Sequence, residues 1–220
     1  MHIVAVPGVG LDQRAYEATV RYLDGRVSVL RLPGFGLPAS DVADLSPPRL
    51  AEAVRSELAR RAVVDVVLLA HSAGCQIVAN AAGDKRVVGV VLVSPTTDPR
   101  AGSWPGLAGR WLWTARHEYL RLVPSLTAQY STTGLVSMVR AMEAARHYDI
   151  REPLRRNEKP LVVVRGEYDA IAPPEWVKAV AEAGSGRAAT IPGGGHMVVM
   201  TDGAGVADQV RAVVGAASAR

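Results

Sequence analysis

The chain of 220 residues contains little cysteine, little lysine and no long apolar run, and each scarcity excludes a class of protein. A single cysteine, Cys75, excludes an internal disulfide framework and a metal site built from four cysteines. With three lysines and a formal net charge of +4, the dense basic surface of a nucleic-acid-binding protein is not expected. Apolar runs stay well below the ~18 residues of a membrane-spanning helix, and the first residues lack the features of a signal peptide. The sequence therefore predicts a cytoplasmic single-domain protein without a nucleic-acid or membrane partner, and leaves its oligomeric state open.

Six apolar runs rich in Val, Ile and Leu are separated by helical patterns. The runs cover His2–Val6, Val27–Leu32, Val63–Ala70, Val87–Ser94, Leu161–Arg165 and Ala188–Ile191. They do not alternate with polar residues, which is typical of strands buried on both faces of a parallel sheet. The helical patterns cover Arg14–Leu23, Pro48–Arg61, Ala73–Ala82, Pro174–Ala183 and Ala204–Ala217. This alternation predicts an α/β fold with a mostly parallel sheet of about six strands flanked by helices.

One long stretch, from residue 97 to residue 158, shows helical patterns but no strand. It follows the fourth predicted strand, so we interpret it as a helical lid inserted into a core formed by residues 1–96 and 159–220. Such an insertion lies over the carboxyl edge of the sheet, where ligands bind in open α/β folds. Apolar side chains in this region are candidates for the wall of a substrate pocket, with packing of the lid onto the core as the alternative. The substrate-binding candidates are Trp104, Trp111, Trp113, Met138 and Met197.

The same stretch carries a surplus of basic residues, among them Arg116, Arg121, Arg140 and Arg146. If these side chains bind an anion, they indicate a carboxylate-bearing substrate or an acyl chain on an acidic carrier protein. Solvated faces of the helices are the alternative interpretation.

The sharpest chemical signal is the segment Ala70-His71-Ser72-Ala73-Gly74, directly after a buried strand and before a helical pattern. It matches the pattern G-x-S-x-G, except that Ala70 replaces the first glycine. Small neighbours allow a serine to occupy a strained turn between strand and helix, where its hydroxyl projects above the sheet. The segment predicts that Ser72 is a nucleophile; a simple helix N-cap is the alternative.

A serine nucleophile needs a base and an acid that orients the base. His196 is the candidate base because it follows the last predicted strand on a glycine loop, whereas the other histidines have less suitable positions. Asp169 is the candidate acid, in the loop after the strand Leu161–Arg165, and Asp98 is the alternative. The order Ser, Asp, His along the chain is the order expected for this type of fold.

Two backbone N–H groups are also required to hold a developing oxyanion. Ala73 supplies one candidate, and Val9 supplies the other from the glycine-containing loop after the first strand. The same loop lacks the glycine-lysine pattern of a P-loop and the third glycine of a dinucleotide-binding turn, so nucleotide binding is not expected.

Together these residues resemble the α/β-hydrolase family over essentially the whole chain. The loop Pro7-Gly8-Val9-Gly10 resembles the family's H-G-x-G segment, with Pro7 replacing the histidine, and the loop Leu32–Pro38 resembles its D-x-P-G-x-G-x-S segment, with Arg31 where the acid often stands. The segments around Asp169 and His196 match the family's acid and histidine segments. The closest likeness is to small lidded esterases and thioesterases that use a serine nucleophile.

The resemblance implies a cofactor-independent serine hydrolase, without a metal, that cleaves a carboxylic ester or thioester of a small apolar or carboxylate-bearing substrate. Two alternatives remain open, because members of one fold catalyse different reactions. One is a non-hydrolytic enzyme that catalyses an elimination or cyclisation in a biosynthetic pathway. The other is a ligand-binding protein without turnover.

Overall fold

The computed structural model describes residues 1–219. Its centre is a sheet of six strands: β1 (His2–Val6), β2 (Arg26–Val29), β5 (Val66–His71), β6 (Val87–Val93), β7 (Leu161–Gly166) and β8 (Arg187–Ile191). Their order across the sheet is β2-β1-β5-β6-β7-β8, and every neighbouring pair is parallel. The predicted α/β fold with six parallel strands is therefore confirmed.

The second strand ends earlier than predicted. It stops at Val29 instead of Leu32, and the chain then forms a separate two-stranded pair from β3 (Leu32–Pro33) and β4 (Gly36–Leu37). The proline cannot donate to a ladder of hydrogen bonds, and Gly34 between the two short strands has a positive φ of 82°. The Pro-Gly sequence therefore turns the chain away from the main sheet.

Helices cover both faces of the sheet. They are α1 (Glu17–Val20), α2 (Pro47–Arg60), α3 (Gly74–Ala81), α4 (Trp104–Ala115), α5 (Val123–Thr133), α6 (Leu135–Arg146), α7 (Arg151–Leu154), α8 (Pro174–Ala183), α9 (Val198–Thr201) and α10 (Gly203–Ser218). Within residues 1–219, no helix combines the length and the apolar composition needed to cross a membrane.

The central strand β5 shows why the sheet is buried on both faces. Val66 and Leu68 point into one apolar cluster, which contains residues of α2, α3 and α8. Val67 and Leu69 point into a second cluster, which contains Val206 and other residues of α10. Successive side chains of a strand alternate between faces, so an unbroken Val/Leu run fills both clusters.

The topology determines where a site can form. The chain moves from β1 outward to β2 and then returns to β5 on the other side of β1, so the strand order reverses between β1 and β5. Ligands of open parallel sheets bind at the carboxyl ends of the strands beside such a reversal. The loops that begin at Pro7 and Ser72 follow these two strands. The segment from residue 97 to 158, between β6 and β7, contains α4, α5, α6 and α7 and no strand.

Candidate active site

Ser72 occupies the sharp turn between β5 and α3. Its φ is +54°, in the left-handed region that is costly for a residue with a side chain, so the turn is strained. The turn also brings α3 very close to the loop after β1: a Cβ on Gly74 would lie 2.3 Å from the backbone oxygen of Pro7. Only glycine fits at position 74, which explains the glycine two residues after the serine in the sequence.

Ser72, His196 and Asp169 form a continuous chain of hydrogen bonds. The distance between Ser72 Oγ and His196 Nε2 is 3.0 Å, and the distance between His196 Nδ1 and Asp169 Oδ2 is 2.9 Å. All three side chains are buried, and Asp169 has no exposed surface. The three residues come from the loops after β5, β7 and β8, so the parallel sheet brings them together at one edge.

The loop after β7 holds the carboxylate of Asp169 in position. Asp169 Oδ1 accepts hydrogen bonds from the backbone N–H groups of Ile171 and Ala172, at 2.9 and 3.1 Å. The buried guanidinium of Arg165 donates to the backbone oxygens of Glu167, Asp169 and Ala172. The acid therefore has one oxygen fixed by the backbone and the other directed at His196.

Asp169 and His196 stabilise each other's charged forms. Burial alone would raise the pKa of Asp169, but His196 and the hydrogen bonds outweigh burial, so the net shift is downward. Burial alone would lower the pKa of His196, but the charge and hydrogen bond of Asp169 reverse this, so the net shift is upward. A more basic imidazole beside a serine hydroxyl is suited to accept its proton.

The alternative acid, Asp98, does not contact His196. Its carboxylate is paired with Arg100 at 2.8 Å and with Arg110 at 2.7 Å. These two guanidiniums occupy the carboxylate, so the geometry favours Asp169 as the partner of the histidine.

The segments that carry the two predicted N–H donors lie beside Ser72. Ala73 follows the serine directly, and Gly8, which precedes Val9, would place a Cβ 3.0 Å from the Cβ of Ser72. Within residues 1–219, neither the N–H of Val9 nor that of Ala73 has a protein acceptor. Both groups therefore remain candidates for the two donors of an oxyanion hole.

A cavity of about 480 Å³ opens above Ser72 and His196. Two helices provide about half of its lining residues, each with residues at i, i+3, i+4 and i+7, which form one face of a helix. Helix α4 contributes Trp104, Leu107, Ala108 and Trp111, together with Leu112. Helix α6 contributes Leu135, Met138, Val139 and Met142. The wall is thus apolar, and Met197 completes it beside the histidine.

The prediction for Trp113 is wrong. Trp113 does not line the cavity; the residue is 54% exposed, and the Arg116 guanidinium lies over its ring, 5.0 Å from the centroid. The reason is helical geometry: Trp113 is nine residues after Trp104, which places it on the opposite side of α4 at about 100° per residue.

None of the four arginines considered for anion binding lines the cavity. Arg140 donates to the backbone oxygens of Ser40 and Ala43, and Arg146 is paired with Glu143. Arg121 lies over the ring of Tyr119. These contacts agree with the alternative interpretation, that the side chains belong to the outer surface.

His71 is a site residue that the sequence pattern did not reveal as such. Its ring lies 4.9 Å from the ring of His196, and its Nε2 is 3.0 Å from the backbone oxygen of His196. A carbonyl only accepts, so Nε2 carries the proton, and Nδ1 is buried without a partner among the described residues. Burial lowers the pKa of His71 to about 3, so the ring is neutral near pH 7.

Other site residues were also missed by sequence analysis. Tyr130 and Ile171 line the cavity, and Glu118 contacts the loop that carries His196. Each comes from a different element, and only the folded chain brings them together. In the part of the chain that the structure describes, no three His, Cys, Asp or Glu side chains converge as metal ligands would.

The sequence between residues 3 and 209 matches the model of the alpha/beta hydrolase family. The chain therefore belongs to the alpha/beta hydrolase family, as its resemblance implied. No curated protein matches the sequence.

Solved structures show the same fold at low sequence identity. A bromoperoxidase from Bacillus anthracis is similar with a TM-score of 0.82 and 17% identity, covering 97% of this chain and 91% of that one. A hydrolase from Oleispira antarctica is similar with a TM-score of 0.80 and 18% identity, covering 97% and 90%. MenH from S. aureus is similar with a TM-score of 0.77 and 15% identity, covering 99% and 94%. The names of these proteins cover more than one activity, so the likeness establishes the fold and leaves the reaction to the site.

Proposed function

We propose that this protein is a serine hydrolase that cleaves a carboxylic ester or thioester of an uncharged, apolar acyl group. The observation that carries the proposal is the hydrogen-bonded chain from Ser72 through His196 to Asp169, which opens into an apolar cavity. A neutral buried serine is a weak nucleophile, and an oriented histidine is the usual means of activating it.

In the first half of the proposed reaction, His196 Nε2 accepts the proton of Ser72 as Ser72 Oγ attacks the carbonyl carbon. The N–H groups of Val9 and Ala73 stabilise the oxyanion, and Asp169 stabilises the imidazolium. The intermediate then expels the alcohol or thiol, which takes the proton from His196, and an acyl group remains on Ser72.

In the second half, His196 removes a proton from water, and the resulting hydroxide attacks the acyl-enzyme. Collapse of this second intermediate releases the carboxylic acid and returns the proton to Ser72. Besides substrate and water, each step uses side chains and N–H groups of this chain, and we propose that no metal or cofactor takes part.

The wall of the cavity supports an uncharged acyl group. Among the described residues, no arginine or lysine lines it, and a carboxylate placed there would lose its hydration without a cationic partner. We propose that Trp104, Trp111, Met138 and Met197 bind the acyl chain, and that residues 97–158 form a lid over a core of residues 1–96 and 159–220. An acyl chain on a carrier protein is a further candidate substrate for this cavity.

The test is hydrolysis of a panel of p-nitrophenyl esters and acyl thioesters of increasing chain length. We expect turnover by the wild type, with a preference for chains that fill the cavity, and loss of turnover in Ser72→Ala. The exposed Ser56 on α2 provides the matched control, Ser56→Ala, which should retain full activity. A folded wild type that cleaves none of these substrates, or a Ser72→Ala variant that keeps its activity, would overturn the proposal. Elimination or cyclisation would be indicated by a product without oxygen from labelled water.

A further inference from the structure

The short stretch from Thr114 to Glu118 contacts both loops that carry the proposed base and acid. At the end of α4, Thr114 Oγ1 accepts a hydrogen bond from the backbone N–H of Ala170 at 3.0 Å. The ring of His117 stacks on the ring of Tyr168, with centroids 4.7 Å apart and an angle of 17° between the planes. Both contacts lie next to Asp169, so this part of the helical segment is docked on the loop of the acid.

Glu118 makes the corresponding contact with the histidine loop. Its Oε1 accepts a hydrogen bond from the backbone N–H of Met197, at 2.9 Å. The approach is so close that a Cβ on Gly195 would lie within van der Waals radii of the carboxylate. Glycine at position 195 thus leaves room for Glu118. Gly195 and Met197, the neighbours of His196 in the sequence, both lie against this carboxylate.

The other oxygen of Glu118, Oε2, is buried and has no hydrogen-bond partner in residues 1–219. A neutral amide would satisfy the N–H of Met197 equally well, and burying a carboxylate oxygen without a partner costs free energy. The hydrogen bond to Met197 alone therefore does not require an acidic residue at this position. A negative charge that acts on His196 would require one.

We propose that Glu118 is a positioning residue for His196, whose carboxylate holds the histidine loop against the helical segment and places a negative charge beside the imidazole. This proposal rests on the proposed function, in which His196 becomes positively charged after it accepts the serine proton. Asp169 stabilises that charge from one side, and Glu118 adds to the stabilisation from the side of the helical segment. The contact also couples the position of the lid to the position of the base.

Opposing electrostatic effects act on Glu118: burial disfavours its charged form, whereas the N–H groups of Met197 and His196 and the charge of His196 favour it. The titratable groups that face Glu118 are His196, Asp169 and Tyr130, the last from α5. Burial raises the pKa of Glu118 more than the N–H groups and His196 lower it. The pKa of His196 shifts upward in spite of burial, and the charge of Glu118 contributes to that shift after Asp169.

The experiment measures the pKa of His196 directly, by NMR titration of protein labelled in its histidine rings, with the signal assigned by its absence in His196→Gln. Glu118→Gln keeps the size and the oxygen acceptor but removes the charge. We expect this substitution to lower the pKa of His196 by about 0.5 unit, because it removes one negative charge that interacts modestly with the imidazolium. The exposed carboxylate of Glu152, paired with Arg155, provides the control Glu152→Gln, which should leave the titration unchanged.

Kinetic measurements separate the effect of the Glu118 charge from the effect of its hydrogen bond to Met197. With a p-nitrophenyl ester, the acid limb of the kcat/KM profile should move to lower pH in Glu118→Gln by the same amount as the NMR pKa. Glu118→Ala also removes the acceptor for Met197, and we expect kcat to fall roughly tenfold with little change in KM, because the base is misplaced. Glu118→Gln should recover most of that loss.

An unchanged pKa of His196 in Glu118→Gln, or a kcat of Glu118→Ala equal to that of the wild type, would overturn the proposal. If the wild type hydrolyses no ester, the proposed function fails, but the NMR titration still decides whether Glu118 acts on His196.

Discussion

Gly166, the last residue of β7, is the position where the smallest change should have the largest effect on activity. A Cβ at this position would lie 2.1 Å from the backbone oxygen of Gly195 and 2.5 Å from that of Gly194. Ordinary van der Waals contact begins near 3.4 Å, so in Gly166→Ala the loop must withdraw by about 1.3 Å. His196 follows Gly195 directly and must move with it.

The displacement is large compared with the tolerance of the site. The distance from His196 Nε2 to Ser72 Oγ is 3.0 Å, and a shift of this size takes the pair out of hydrogen-bonding range. A misplacement of about 1 Å typically costs on the order of 10²-fold in rate. We therefore expect kcat/KM of Gly166→Ala to fall about 100-fold, and the free energy of unfolding to fall by about 1–3 kcal/mol through overpacking.

The assay is ester hydrolysis together with thermal unfolding, since the variant must be shown to be folded. Gly215 on α10 has open space where a Cβ would project, with no atom within 4 Å, so Gly215→Ala is the matched glycine control. It should retain activity and be slightly more stable, because alanine favours a helix. A folded Gly166→Ala protein with kcat/KM within about twofold of the wild type would refute the reasoning.

Three further predictions concern the acid, the buried histidine and the cavity wall. Asp169→Asn should lower kcat roughly 10⁴-fold, because the orienting charge is lost, whereas Asp98→Asn should leave kcat nearly unchanged; the reverse result would make Asp98 the acid. His71 stays neutral in the folded protein down to a pKa of about 3, while in the unfolded chain it binds a proton below about 6.5. Between these values only the unfolded chain binds a proton at His71. The free energy of unfolding therefore falls as the pH falls, by up to about 1.4 kcal/mol per pH unit. In denaturant unfolding, the free energy of unfolding of His71→Asn should fall less steeply than that of the wild type between pH 6 and pH 4. Parallel plots of this free energy against pH would contradict the prediction. Trp111→Ala should shift the preferred ester to a longer chain, while Trp113→Ala should not; an equal shift in both would show that the cavity wall is assigned incorrectly.

The sheet is predictable from the sequence because its strands are unusually simple. Runs such as Val66–His71 have no polar interruption before the final histidine, and only a strand buried on both faces needs such a run. Asp169 and His196 were identifiable as a pair because each follows a recognisable strand, and parallel strands end at the same edge. Local sequence was therefore sufficient wherever the signal was a strand followed by a polar side chain.

The errors arose where the outcome depends on the direction of a side chain or on a distant contact. Trp113 and Trp111 are both tryptophans of the same helix, so the sequence alone does not distinguish them. A step of two residues along a helix rotates the side chain by about 200°, which takes Trp113 away from the cavity. The second strand was extended to Leu32 because apolar residues continue, whereas the turn at Pro33 and Gly34 ends the pairing. Glu118 lies far before His196 in the sequence, and no local pattern connects the two.

The central claim is that Ser72 forms a covalent acyl intermediate, and intact-protein mass spectrometry tests it most directly. The protein is mixed with a p-nitrophenyl ester, quenched in acid within milliseconds and weighed, and the modified peptide is then sequenced. We predict one acyl group per chain, located on Ser72 and absent from Ser72→Ala. A second measurement with a fluorophosphonate covers the case in which deacylation is too fast for the acyl group to accumulate, and it should label the same residue. Ester turnover with no adduct on Ser72 under either reagent would contradict the account.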